Sequence, residues 1–116
     1  MKSVLVVEDD RAIAETIRMM LEEHYTVTLL EDPRDMPAGP GPSLVITDLL
    51  GRAGYDSAAA IRAVREARAR TGAPVLILTA HAAARADGEL AAVANAVLTK
   101  PFQMDELMAA VERLVV

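Results

Sequence analysis

At 116 residues with a formal net charge of −5, the chain has room for one domain (1–116) with a real core and none for two. Basic residues are not massed with aromatics, which argues against direct nucleic-acid binding. The lack of cysteine removes disulfide and thiol chemistry and fits a reducing cytoplasm, while no apolar run nears the length of a signal peptide or a membrane span.

The chain opens on Val4-Leu5-Val6-Val7, an unbroken apolar run of the kind a strand buried on both faces shows. It passes at once into Glu8-Asp9-Asp10. A helix follows, with Ile13, Ile17, Met20 and Leu21 on one face and Arg11, Glu15, Arg18 and Glu22 off it. Asp9 or Asp10 suits its N-cap, because a carboxylate oxygen accepts from the free N–H groups of a first turn. One cap needs one acid, and here three stand in a row. Met19 and Met20 read as core filling. Tyr25 to Leu30 is a second strand. The crossover after it, Pro33 to Pro42, is rich in residues that remove donors or cost backbone entropy. At most one helical turn is expected there, near Pro33 to Met36. Strands one and two are then thinly shielded on that side, which becomes a candidate contact surface for a partner or a second copy.

Ser43-Leu44-Val45-Ile46-Thr47-Asp48 is the third strand and runs straight into a carboxylate. Alone, Asp48 is best read as a strand-ending turn residue. The next helix runs from Asp56 or Ser57 to Arg70, with Ile61 and Val64 inward and its arginines on a solvated face; Thr71-Gly72-Ala73-Pro74 stops it. Val75-Leu76-Ile77-Leu78 is a fourth buried strand, ending in Thr79-Ala80-His81. An Ala-rich segment follows, broken at Asp87-Gly88, with a helix from about Gly88 to Ala94. Ala96-Val97-Leu98 makes a short fifth strand before Thr99-Lys100-Pro101-Phe102. Met104, Leu107, Met108, Val111 and Leu114 then recur at helical spacing. Such alternation of strand and helix predicts an α/β sheet with right-handed crossovers.

The strand ends carry Glu8, Asp9, Asp48, Thr79 and Lys100. In a doubly wound sheet of order 2-1-3-4-5 these ends converge on one crevice. Each pair of like charges 4 Å apart costs roughly 4 kcal/mol at an effective dielectric of about 20. Lys100 cannot cancel three carboxylates, whereas a divalent cation can, and an all-oxygen site with room for water suits Mg²⁺. A carboxylate beside Mg²⁺, a lysine and a hydroxyl is arranged to accept a phosphoryl group.

In this respect the whole chain resembles the receiver domains of two-component response regulators. Val4-Leu5-Val6-Val7-Glu8-Asp9, Val45-Ile46-Thr47-Asp48, Ile77-Leu78-Thr79-Ala80 and Thr99-Lys100-Pro101-Phe102 stand in the family's order and approximate spacing. Singly each is an ordinary strand end; together they are highly specific. The resemblance implies a flavodoxin-like fold, from which the prolines between Pro33 and Pro42 make this chain depart by leaving the second helix short or absent. It implies Asp48 as phosphoacceptor, Asp9 as a direct Mg²⁺ ligand, Glu8 as a ligand through water and the carbonyl of Leu50 as a further ligand. Thr79 would bond a phosphoryl oxygen, and Lys100 would pair with its charge. Asp10 is left as a helix cap. The implied partner is a sensor histidine kinase or phosphotransfer protein, with a homodimer as a further option and no enzyme activity beyond self-phosphorylation and slow self-dephosphorylation. The chain departs from the family at Arg52, where a proline is usual, and at Gly54, which comes two residues early. It also has Val97 where a switching Tyr or Phe is usual.

Two other readings compete. A receiver-like interaction module that works without phosphorylation is favoured by the altered loop and opposed by the complete set of acids, threonine and lysine. A phosphatase of the haloacid dehalogenase type would want a second Asp two residues after the nucleophile, where this chain has Leu50, and a cap domain for which it lacks room.

Overall fold

A computed structural model describes residues 1–39, 41–48 and 54–116. Five strands, β1 (Ser3–Val7), β2 (Thr26–Leu30), β3 (Leu44–Thr47), β4 (Val75–Thr79) and β5 (Ala96–Thr99), form one sheet of order β2-β1-β3-β4-β5. Every pairing is parallel, as the two-sided apolar runs demand. The helices are α1 (Arg11–Leu21), α2 (Ser57–Thr71), α3 (Ala82–Arg85), α4 (Gly88–Val93) and α5 (Met104–Leu114). The short turn α3 is an addition to the expected elements.

The sheet separates two aliphatic cores. One joins Val4, Val6, Leu44, Ile46, Leu76 and Leu78 to Ile17 and Leu21 of α1 and Leu107 and Val111 of α5. The other joins Leu5, Val7, Val45, Val75 and Ile77 to Val64 of α2 and Leu90 of α4. Alternate residues of β1, β3 and β4 thus serve opposite layers, which is why those three runs are so apolar. Gly72 ends α2 in the left-handed region at φ +70°, where a side chain would be strained.

The crossover from β2 to β3 is one turn of 3-10 helix, Pro33–Asp35, capped by Asp32. Two expectations need correction. Strand β1 is not exposed by the missing helix, because Leu5 and Val7 remain buried and Met36, just after the turn, is only 4% exposed against the same core. Only β2 is thinly covered, and there Thr26 and Thr28 face solvent. The methionine pair also divides: Met20 packs against the α1–α5 core, while Met19 is 69% exposed. Neighbours on a helix point about 100° apart, so one residue of an adjacent pair leaves the buried stripe.

Candidate functional site

Backbone pairing runs one residue past the strands and fixes the site. Glu8 N–H donates to the Leu30 carbonyl at 2.9 Å, Asp48 N–H to the Val7 carbonyl at 3.2 Å and Lys100 N–H to the Thr79 carbonyl at 2.7 Å. Three polar side chains from β1, β3 and β5 are thereby set along the carboxyl edge of the sheet, across the central strands. Lys100 Nζ bridges the other two, donating to Glu8 Oε2 and to Asp48 Oδ2, each at 3.1 Å.

Glu8 is 4% exposed, and its second oxygen, Oε1, accepts from Asp10 N–H at 3.3 Å. Burial pushes its carboxyl up from the ordinary value, against the hydrogen bond and charge of Lys100, which pull it down. For Lys100, burial opposes the charge, but the hydrogen bonds and charges of Asp48 and Glu8 prevail and raise its pKa. One ammonium against two carboxylates leaves unit negative charge in a place with little water.

The remaining expected residues are less closely joined. Thr79 is fully buried at the end of β4, its Oγ1 accepting from His81 N–H at 3.0 Å. Asp9 is exposed and makes no hydrogen bond or ion pair among the described residues. Asp10 caps α1, accepting from Ile13 N–H at 3.2 Å. Leu50, expected to lend a carbonyl, lies outside the described residues, as does Arg52.

Oxygen donors alone, with an uncancelled negative charge, are the chemistry a hard divalent cation prefers. Among the described residues no three acidic or histidine side chains already enclose a metal position; Lys100 spans the space between Glu8 and Asp48. One further polar group stands beside the site. Thr47 Oγ1, one residue before Asp48, is buried with no hydrogen-bond partner among the described residues.

Sequence reasoning missed a second cluster. The hydroxyls of Tyr55 and Ser57 both donate to Oδ2 of Asp87. Their separation of about thirty residues gives no local signal. The topology was the available clue, since α2 and the Ala-rich segment share one side of the sheet.

Residues 4–112 match the family described as the response regulator receiver domain. The response regulator MprA of Mycolicibacterium vanbaalenii is 36% identical over 96% of this chain and 49% of its own length. The cell cycle response regulator CtrA of Brucella ovis is 33% identical over 97% of this chain and 49% of its own. The chain thus spans about half the length of the curated relatives it matches. Among solved structures, the response regulator TrrA of Thermotoga maritima, in complex with Mg²⁺ and BeF, aligns with a TM-score of 0.77 at 27% identity, over 99% of this chain and all of its own. A chemotaxis response regulator of Vibrio cholerae shares the fold with a TM-score of 0.76 at 23% identity, over 99% of each chain. No helix among the described residues is long and apolar enough to cross a membrane. With the parallel sheet in the order β2-β1-β3-β4-β5, the acids and lysine at its carboxyl edge and this match over nearly its whole length, the chain belongs to the response regulator receiver domain family.

Proposed function

We propose that this domain takes a phosphoryl group from a histidine kinase or phosphotransfer protein onto Asp48, in a reaction that requires Mg²⁺, and signals by the resulting conformational change. The observation that carries this reading is the bridge from Lys100 to Asp48 and Glu8, 3.1 Å on each side. In the reaction an Asp48 carboxylate oxygen forms a bond to phosphorus. The P–N bond of the donor phosphohistidine breaks, and its electron pair stays on the imidazole nitrogen. Lys100 then exchanges its contact with a carboxylate for one with a phosphoryl oxygen, and Thr79 supplies a hydroxyl donor at the next strand end. Such catalysis is chiefly positioning and charge stabilisation. Glu8, Asp9, Asp48 and the Leu50 carbonyl would hold the cation, which when bound supplies positive charge beside the phosphoryl oxygens. Water attack on phosphorus later returns free Asp48 and phosphate.

A cleft of about 490 Å³ opens beside Lys100, lined by Ile13, Thr16, Met20 and Phe102, and suits an apolar helix of the phosphodonor. The test is chemical. With Mg²⁺ and acetyl phosphate the protein should gain one acid-labile phosphoryl group, absent in Asp48→Asn and absent in EDTA, as read by intact mass. If no adduct forms while another receiver labels in parallel, the domain works as an interaction module without phosphorylation.

A further inference from the structure

The described chain resumes after the acceptor loop at Gly54, whose φ of +110° turns it into the start of α2. Asp56 caps that helix, accepting from Ala59 N–H at 3.1 Å. The residues on either side of this cap, Tyr55 and Ser57, both reach across to Asp87. Asp87 is itself the cap of α4: its Oδ1 accepts from the N–H groups of Glu89 and Leu90 at 3.0 and 3.3 Å. Capping a six-residue helix uses one carboxylate oxygen. The second oxygen is taken by two hydroxyls from the far end of the acceptor loop.

Tyr55 adds a further link. Its ring packs against the core between the sheet and α2 and lies 6.5 Å, centroid to centroid, from that of His81. The His81 N–H in turn holds Thr79 Oγ1. A phenylalanine would fill the same apolar space, so the hydroxyl is there for Asp87. The end of the loop and the start of α4 therefore meet at one carboxylate, and Tyr55 lies beside the His81 that follows Thr79.

We propose that Asp87 is a positioning residue for phosphoryl transfer at Asp48, holding the downstream end of the acceptor loop through the hydroxyls of Tyr55 and Ser57. The inference rests on Asp48 being the acceptor. A segment that follows the acceptor directly needs both ends fixed, since misplacement of about 1 Å far from the chemistry costs up to about a hundredfold in rate. One end is β3; the other is this carboxylate. The same attachment carries any loop movement on phosphorylation to the first turn of α4.

The test compares labelling by acetyl phosphate and Mg²⁺ in wild type, Tyr55→Phe, Asp87→Ala and Asp87→Asn, each first shown folded by circular dichroism. Tyr55→Phe and Asp87→Ala should slow formation of the Asp48 adduct about tenfold. Asp87→Asn, which keeps an oxygen for the hydroxyls, should recover part of that loss. Met36→Ala, a core truncation beside the 3-10 turn, should lower thermal stability and leave the labelling rate unchanged, separating positioning from general weakening. Wild type that labels at Asp48 beside equally fast Tyr55→Phe and Asp87→Ala overturns the role of Asp87 alone. Wild type that takes no label overturns the acceptor reading and this proposal with it.

Discussion

Three consecutive acids, Glu8, Asp9 and Asp10, have three different surroundings, and substitution should separate them. Asp10→Ala removes the cap of α1 and should cost about 1 kcal/mol, while leaving the gain in melting temperature on adding Mg²⁺ intact. Asp9→Ala touches no hydrogen bond among the described residues, so it should cost little stability in EDTA and lose most of the Mg²⁺ gain, which arises by mass action on the native state. Equal loss of the Mg²⁺ response in both would mean that the acid pair is assigned one residue out of place. Asp87 offers a test with pH. The Ser57 hydroxyl first, then that of Tyr55, holds its carboxyl below the ordinary 3.8, at about 2. A depressed acid lends stability that is complete above the unfolded value and is lost as pH falls through the folded one. The melting-temperature gap between wild type and Asp87→Asn should therefore narrow as the pH is lowered from 3.8 toward about 2. A gap that widens in acid would show that other groups control that limb.

At the scale of elements, the strands and the long helices were legible because their patterns are complete: β3 and β4 are apolar up to a closing threonine, and α1, α2 and α5 open near Asp10, Asp56 and Gln103. The crossover after β2 was legible for the opposite reason, since proline excludes the helix. What could not be read was Met36 entering the core to shelter β1, which depends on where the 3-10 turn comes to rest. Nor could α3 be read, since four residues among alanines carry no period. Val97 gives this scale its prediction. It is a half-buried β-branched residue on β5, packed on the α2–α4 side, and its single stiff torsion gives it no second position to swing into. Signalling by an aromatic rotation is closed to it. Beryllofluoride with Mg²⁺ should shift amide resonances at Gly54 to Ser57 and at Asp87 to Leu90 more than those of β5 and α5. Shifts centred on Val97 and α5, with Tyr55 and Asp87 silent, would place the signal on the other path.

Over the whole molecule, the site was legible as a list and only partly as an arrangement. Parallel topology predicts that Glu8, Asp48 and Lys100 share an edge, and the registers of β1 with β3 and β4 with β5 make it so. Register says nothing of how far an exposed side chain such as Asp9 turns inward, or which acids one lysine selects. The charge pattern is similar: a net −5 was plain from composition, but its least hydrated member was not.

That member, Glu8, is fastened at one edge of the sheet. Its amide is fastened to the Leu30 carbonyl of β2, an edge strand that shows Thr26 and Thr28 to water where a full helix would otherwise lie. Local opening starts where few apolar contacts must be broken, so β2 detaches at lower cost than β1, β3 or β4. Each such opening releases the backbone beside Glu8 and admits water to its carboxyl. The missing helix, a matter of a few prolines on the far side of β2, thereby leaves the carboxyl edge of the sheet leaning on a strand that is open to water.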